Sequence, residues 1–181
     1  MKNRMAVFID GRNVHYRLVA LGWPTAYDVL AFAEAISTGQ HFNLVAVYYY
    51  NATPLSKFTP EPAYGQQLRY YAHIEGQLGD RFRKGFLIEV GGRPVEKQVD
   101  VKLALDLALC AARDEYDIAA LVSADGDLGA AVEEVHRAGK RVINYVFRMK
   151  RSFNLAQVCD DVRFLKRKHF TPVQYPEKPA I

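Results

Sequence analysis

The chain is poor in the residues that would make its chemistry easy to name. Two cysteines in 181 residues are too few for a disulfide framework and lack the paired spacing of a zinc site. Five histidines, at 15, 41, 73, 136 and 169, are scattered with no metal-ligand spacing. No G-x-S-x-G elbow is present, which sets aside a serine esterase. No glycine loop ending in G-K-[ST] is present either, which sets aside a nucleoside triphosphatase. No apolar run approaches the roughly 18 residues of a membrane span. The opening MKNRMAVFIDG has an apolar stretch of about five residues, whereas a secretory signal needs about 7–15 and a cleavage site. Repeats and low-complexity linkers are missing as well. Together these absences predict a cytoplasmic protein with no membrane partner.

What is there describes an ordinary folded domain. Hydrophobic residues make up 50% of the chain and charged residues 24%, which excludes disorder, collagen and a coiled-coil rod. The length suits one domain with a sizeable core, expected over residues 1–165, followed by a basic irregular tail at 166–181. Charge is unevenly placed. The formal net charge is +4, and from residue 148 onward eight Lys/Arg face three acids, so the last 34 residues carry +5 and residues 1–147 carry −1. Such a skew suits a polyanionic partner, and it equally suits a plain solvated tail.

Short apolar runs alternate with helical stretches. Strands are expected at 5–9, 43–50, 86–90, 118–122 and 141–147, with an edge strand at 161–165. Helices are expected at 13–21, 27–37, 61–78, 99–112 and 127–138, with a short one at 153–159 capped by Ser152. Residues 51–60, with two prolines, read as a loop, and Gly91-Gly92 as a turn. Strands alternating with helices mean α/β, with a mostly parallel sheet covered on both faces. In such sheets sites form beyond the carboxyl ends of the strands, where the strand order reverses.

Acids stand at those ends. The first strand is followed by Asp10-Gly11-Arg12-Asn13, and the strand at 118–122 by Ser123-Ala124-Asp125-Gly126-Asp127. If the two strands are neighbours, three carboxylates share one edge. Asp100 opens the helix at 99–112, which leads into the second of these strands. In a simple crossover that helix is expected to begin near the opposite end of the sheet, so Asp100 joins the group only if the helix start curls over the edge. Two carboxylates about 5 Å apart repel by roughly 3 kcal/mol at an effective dielectric near 20. A divalent cation removes that cost, and all-oxygen ligands favour Mg²⁺ or Mn²⁺ over zinc. A metal with open positions suits phosphoryl chemistry, and a basic chain end suits a phosphate backbone. Metal-dependent hydrolysis of nucleic acid is therefore the expected activity. Plainer roles stand beside it: Asn13 as an N-cap, and Asp125-Gly126-Asp127 as a helix cap.

Three segments resemble a known family. Phe8-Ile9-Asp10-Gly11-Arg12-Asn13, the stretch from Lys97 to Leu107 (KQVDVKLALDL) and Leu121-Val122-Ser123-Ala124-Asp125-Gly126-Asp127-Leu128 occur in the order of the NYN domain. Gly139-Lys140-Arg141-Val142 fits its following strand. The NYN domain is a branch of the PIN-like nuclease superfamily that includes LabA-like bacterial proteins, and the resemblance covers about residues 5–147. It implies a PIN-like three-layer fold and an Mg²⁺- or Mn²⁺-dependent ribonuclease site, with Asp10, Asp100, Asp125 and Asp127 as metal-binding acids. It also implies that the first turn of the Asp100 helix reaches the acidic edge, and that Asn13 and Ser123 orient the site or its waters. The sequence departs mildly from the family. Gln98 and Ala124 stand where Gly is common, and Leu128 where Phe is common.

Asp106 matches a family position but lies about 240° around the helix from Asp100, off its face. A structural role, accepting backbone N–H groups from another loop, and a metal role, direct or through water, are both open. Arg12, Lys97, Lys102, Arg148, Lys150 and Arg151 are candidate RNA contacts, with Lys166, Arg167 and Lys168 behind them. In the run Tyr48-Tyr49-Tyr50, strand alternation puts Tyr49 on the face opposite the other two, and packing is expected over base stacking. The resulting expectation is a metal-dependent ribonuclease acting on single-stranded RNA, with homodimerisation open. The alternative is an RNA-binding or regulatory module that does not cut. Toprim-like and haloacid-dehalogenase-like folds fit poorly. The first generally wants Glu where Asp10 stands, and the second wants an acid where Arg12 stands.

Overall fold

The computed structural model describes residues 3–38, 42–148 and 153–173. Its first strand, β1 (Arg4–Asp10), is buried along its length apart from Arg4. It is the middle strand of a seven-stranded sheet, and a strand covered on both faces needs an unbroken apolar sequence. Alternation divides its side chains. Met5, Val7 and Ile9 enter one core, and Ala6 and Phe8 the other.

From β1 the chain builds outward through α1 (Gly11–Leu21), α2 (Val29–Thr38), β2 (Asn43–Ala52), α3 (Ala63–Leu78), β3 (Phe82–Val90) and β4 (Arg93–Lys97). It then returns through α4 (Val99–Ala112) to β5 (Ile118–Val122) on the other side of β1. α5 (Gly129–Arg137), β6 (Arg141–Val146), α6 (Phe153–Val158) and β7 (Asp161–Phe164) follow. The strand order is β4-β3-β2-β1-β5-β6-β7, and the β3–β4 pair alone is antiparallel. α1, α2 and α3 cover the Met5/Val7/Ile9 face, while α4, α5 and α6 cover the Ala6/Phe8 face. The expected α/β three-layer architecture is the observed one. The order reverses between β1 and β5, the pair whose carboxyl ends carry Asp10 and Asp125.

The tyrosine run packs as its alternation requires. Tyr49 joins the α1–α3 side, and Tyr48 and Tyr50 face α4, with Tyr48 stacked on Phe8 at 5.0 Å. β4 is the element that the sequence reading lacks. Arg93-Pro94-Val95-Glu96-Lys97 offers little apolar pattern and a proline, which an edge strand tolerates and a central strand does not. It folds back on β3 across Gly91 and Gly92, at φ +58° and +77°, the left-handed pair that a tight hairpin requires. β3 likewise begins earlier than expected, at Phe82, because Arg83 and Lys84 mask it.

The segment after Lys166 also packs. Phe170 is buried against Trp23, Tyr27, Phe32 and Phe147, and Tyr27 bridges to Pro172. Ser152 and the tail beyond residue 173 lie outside the described residues. No helix among the described residues is long and apolar enough to cross a membrane.

Candidate active site

Asp10 ends β1 and caps α1. Its Oδ1 accepts the Asn13 backbone N–H at 2.9 Å, and its Oδ2 accepts the Ser123 hydroxyl at 2.7 Å. The side chain is almost out of water, at 5% exposure. Burial pushes its carboxyl up to about 6; the two hydrogen bonds pull the other way, and the charges of Asp100 and Asp125 push it further up. Asn13 is therefore not the N-cap that the sequence offers: the helix starts two residues earlier, and Asn13 gives its backbone N–H to the actual cap, Asp10. Gly11, next in line, has no room for a side chain, since a Cβ there would lie 2.5 Å from the Tyr49 ring. The glycine lets α1 start directly against β2.

Ser123 links the two acidic motifs. β1 and β5 pair in parallel with Ile9 opposite Val122, which sets Asp10 beside Ser123. The serine Oγ donates to Asp10 and accepts the Asp125 N–H at 3.1 Å. Asp125 then accepts the Asp127 N–H at 3.0 Å, capping the short 3₁₀ turn Gly126–Leu128. The expected capping role is the one that this loop's hydrogen bonds display. The loop is held from below by Asn144 of β6. Its Nδ2 donates to the carbonyls of Leu121 and Ser123 at 3.0 and 2.9 Å. Asn144 was not foreseen; a lone Asn inside Val142-Ile143-Asn144-Tyr145-Val146 was the signal available.

Asp100 needs no curl over the edge. α4 runs antiparallel to the strand it feeds, so its first turn lies at the carboxyl edge and its last turn near the start of β5. The expectation that it begins at the far end misjudged the crossover. The β3–β4 hairpin continues β3 beyond its pairing with β2 and brings the chain back level with Phe86, opposite Lys97. Gly85 lets the return lie flat on β3, because a Cβ there would sit 2.5 Å from the Lys97 carbonyl oxygen and 2.4 Å from Val99. The turn into α4 passes through Gln98 at φ +71°, a conformation that favours glycine. Burial raises the Asp100 carboxyl, as do Asp125 and Asp127, against the pull of Arg12.

A fifth acid joins them. Glu96 of β4 is largely buried, its side chain 11% exposed, with Arg12 at 3.6 Å. Burial pushes it up to about 7, with Arg12 opposing and Asp10 and Asp100 adding to the rise. It belongs to no motif and lies on the strand that the sequence hides.

The acids share one edge and feel one another's charge. Among the described residues, however, no three Asp, Glu, His or Cys side chains already converge as a metal cage. Like charges repel, so these carboxylates stand apart where no cation lies between them. The donor chemistry fits a hard dication, being all oxygen with no cysteine or histidine.

Asp106 stands apart. Arg83 binds it through two hydrogen bonds at 2.8 and 2.9 Å, and the Tyr50 hydroxyl donates to it at 2.9 Å. It ties α4 to β2 and β3, and its partners are strand side chains and not the backbone N–H groups of a loop that the sequence suggests, because Arg83 and Tyr50 reach it from the adjoining strands. Of the expected RNA contacts, Arg12 pairs with Glu96 and lies 5.6 Å from the Tyr16 ring. Lys97 is exposed at the end of β4. Lys102 is engaged in structure, its ammonium donating to the Lys84 carbonyl at 2.7 Å. Arg148 is exposed beyond β6, over the Phe164 ring at 5.7 Å. Lys150 and Arg151 lie outside the described residues. Lys166, Arg167 and Lys168 are exposed around a 3₁₀ turn.

The NYN domain family model matches residues 4–166, nearly the whole chain. The chain belongs to the NYN domain family. This places it in the PIN-like nuclease superfamily and agrees with the sheet described above. A similar fold is seen in a crystal structure of a protein of unknown function from Vibrio parahaemolyticus. That structure is 24% identical and covers 93% of this chain and 96% of its own, with a TM-score of 0.66. No curated protein matches this NYN domain.

Proposed function

We propose that this NYN domain is a metal-dependent ribonuclease, hydrolysing RNA phosphodiester bonds at the carboxyl edge between β1 and β5. One observation carries the reading: four aspartates with no paired cation among the described residues stand at the strand-order reversal, with Asp10 and Asp100 held above the usual carboxylate range by burial and by their neighbours' charge. Asp10, Asp100, Asp125 and Asp127 are the residues to hold one or two Mg²⁺ or Mn²⁺ ions. When bound, such an ion offsets charge on a phosphate oxygen and acidifies a water.

The chain's own groups set the geometry. The Asn13 N–H and the Ser123 hydroxyl fix both Asp10 oxygens, and Ser123 fixes the Asp125 backbone through the same oxygen. Arg12, next but one to Asp10, presents a guanidinium to a phosphate. Lys97 and Arg148 extend the positive surface along the backbone of a single strand. Breaking the bond to the 3′ oxygen leaves products with 5′-phosphate ends. The test is titration with Mn²⁺ against a labelled single-stranded RNA. Metal-dependent product is expected, lost in Asp10→Asn/Asp125→Asn. Binding without product at saturating metal selects a non-cutting RNA-binding module instead.

A further inference from the structure

Beside the acidic edge lies a groove of about 950 Å³, walled by α1, the loop after β2, α3 and the β3–β4 hairpin. None of the four aspartates lines it, but it shares Arg12 and Glu96 with their edge. Its size is within the roughly 300–1,000 Å³ of small-ligand sites.

The lining has a particular chemistry. Tyr16 of α1 is 59% exposed, an unusual placement for an aromatic ring on a helix that already buries Val14 and Leu18. Phe58, in the loop after β2, is only partly covered. Arg12 lies over the Tyr16 ring, and Arg69 adds a second exposed cation. Asn51 and Gln66 supply amide groups. An apolar peptide would leave the exposed Arg69 guanidinium and the Gln66 amide in the lining without partners. Aromatic faces beside guanidinium and amide groups match a nucleotide, with a flat base, hydrogen-bonding edges and an anionic phosphate. A base inside a duplex has no free face to offer, so the nucleotide is unpaired.

We infer that this groove is a nucleotide subsite, holding one unpaired nucleotide of the bound strand next to the cleaved bond, with its base against Tyr16 and Phe58 and its phosphate on Arg12. Arg12 sets the register, because it lines the groove while standing two residues from Asp10, and its guanidinium, held 3.6 Å from Glu96, carries the positive charge that a phosphate needs there. The inference rests on the ribonuclease reading for the identity of the polymer. The subsite itself rests on the groove.

The test uses the full chain carrying Asp10→Asn, so that RNA is bound and not cut. Anisotropy is read with labelled single-stranded 12-mers in which one abasic nucleotide is walked along the sequence. Loss of one base–ring stack corresponds to about a tenfold weaker Kd. The expected result is such a loss at one position. The same loss is expected in Tyr16→Ala, which then no longer distinguishes that position. Tyr16 is exposed enough for its removal to leave the core intact, and Phe58→Ala provides an independent second wall. Equal Kd at every abasic position, or Tyr16→Ala binding as tightly as the parent, overturns the subsite. Uridine 5′-monophosphate that competes as strongly as the 12-mer overturns its assignment to a strand and makes the groove a free-nucleotide site. The nuclease reading fails separately. If the protein with Asp10 intact cuts nothing but the abasic walk keeps its single position, the subsite stands without the nuclease. If it cuts RNA and the walk is flat, the nuclease stands without the subsite.

Discussion

Opposite ends of the same strands handle negative charge in opposite ways. At the amino edge, Asp117 precedes β5 and Arg4 opens β1. The Arg4 backbone and guanidinium donate to Asp117 at 2.8, 3.2 and 2.7 Å, and the guanidinium also reaches Asp114 at 2.8 Å. Lys140 pairs with both acids. The hydrogen bonds from Arg4 hold Asp117 down at about 2, and those from Lys140 and Arg4 lower Asp114. At the carboxyl edge five acids gather. Among the described residues, the cation paired with any of them is Arg12, on Glu96. Asp10, Asp100 and Glu96 are all pushed up. The fold can supply cations to its strand ends and does so at one of them. The edge where, among the described residues, the aspartates have no paired cation is the one at the strand-order reversal, where a ligand's charge has somewhere to act.

The largest test of this contrast is cleavage itself. Asp10→Asn/Asp125→Asn is expected to take metal-dependent RNA cleavage to background, and Asp117→Asn at the other edge to leave it in place. A double variant that still cuts ends the ribonuclease reading. A dead Asp117→Asn that is folded by circular dichroism ends the division of labour between the edges.

Next in size is stability without metal. The folded chain keeps the Asp10 proton to about pH 6, while an unfolded carboxyl releases it near its ordinary value of 3.8. The native state therefore binds more protons between about pH 4 and 6, and stability falls as pH rises through that window. Glu96 carries the fall on to about pH 7. At neutral pH the Asp10 penalty is about 3 kcal/mol. Asp10→Asn is expected to recover the greater part of it in urea unfolding at pH 7.5 in chelator, and to flatten the pH dependence. Asp117 behaves oppositely. Its stabilisation is complete above about pH 4 and lost as pH falls toward 2, and Asp117→Asn costs about 1 kcal/mol after solvent screening. An Asp10→Asn protein less stable than its parent breaks the comparison.

How much of this the chain discloses follows from where the residues stand. Asp10 and Asp125 each terminate an apolar strand, so strand and acid are legible together, and the α/β order follows from the spacing of such strands. Glu96 is hidden because its strand has one aliphatic residue and a proline. Asn144 is hidden because a polar residue inside a buried strand has many possible partners. Asp106 was readable as buried on its helix, but its partner Arg83 sits on a stretch that charge disguised as loop. Lys102 looks like a phosphate contact until the fold sets its ammonium on the Lys84 carbonyl of the neighbouring strand.

Cation uptake is the next discriminator. Mn²⁺ at a hundred times its Kd adds about 2.7 kcal/mol to unfolding free energy when it binds the folded state alone. The gain is expected at pH 7.5, reduced at pH 5 where Asp10 and Glu96 hold protons, and absent in Asp10→Asn/Asp125→Asn. An equal gain in that variant places the cation elsewhere.

The smallest expected effect compares the two ends of α4. Gln98 at its start and Asp114 just past its end both have left-handed backbone, at φ +71° and +56°. A non-glycine residue there costs roughly 1–2 kcal/mol, and glycine returns part of that as unfolded-chain entropy, about 0.5–1 kcal/mol. The Gln98 side chain caps nothing, so Gln98→Gly is expected to stabilise the chain by about 0.5–1 kcal/mol in urea unfolding. Asp114→Gly relieves a similar strain but forfeits the pairs to Arg4 and Lys140, so its net change is expected near zero or unfavourable. The same substitution thus separates the ends: strain without compensation at the edge that carries Asp100, and strain offset by ion pairs at the edge that is already neutral. A Gln98→Gly chain no more stable than its parent shows that the glutamine makes contacts in solution that outweigh its backbone cost.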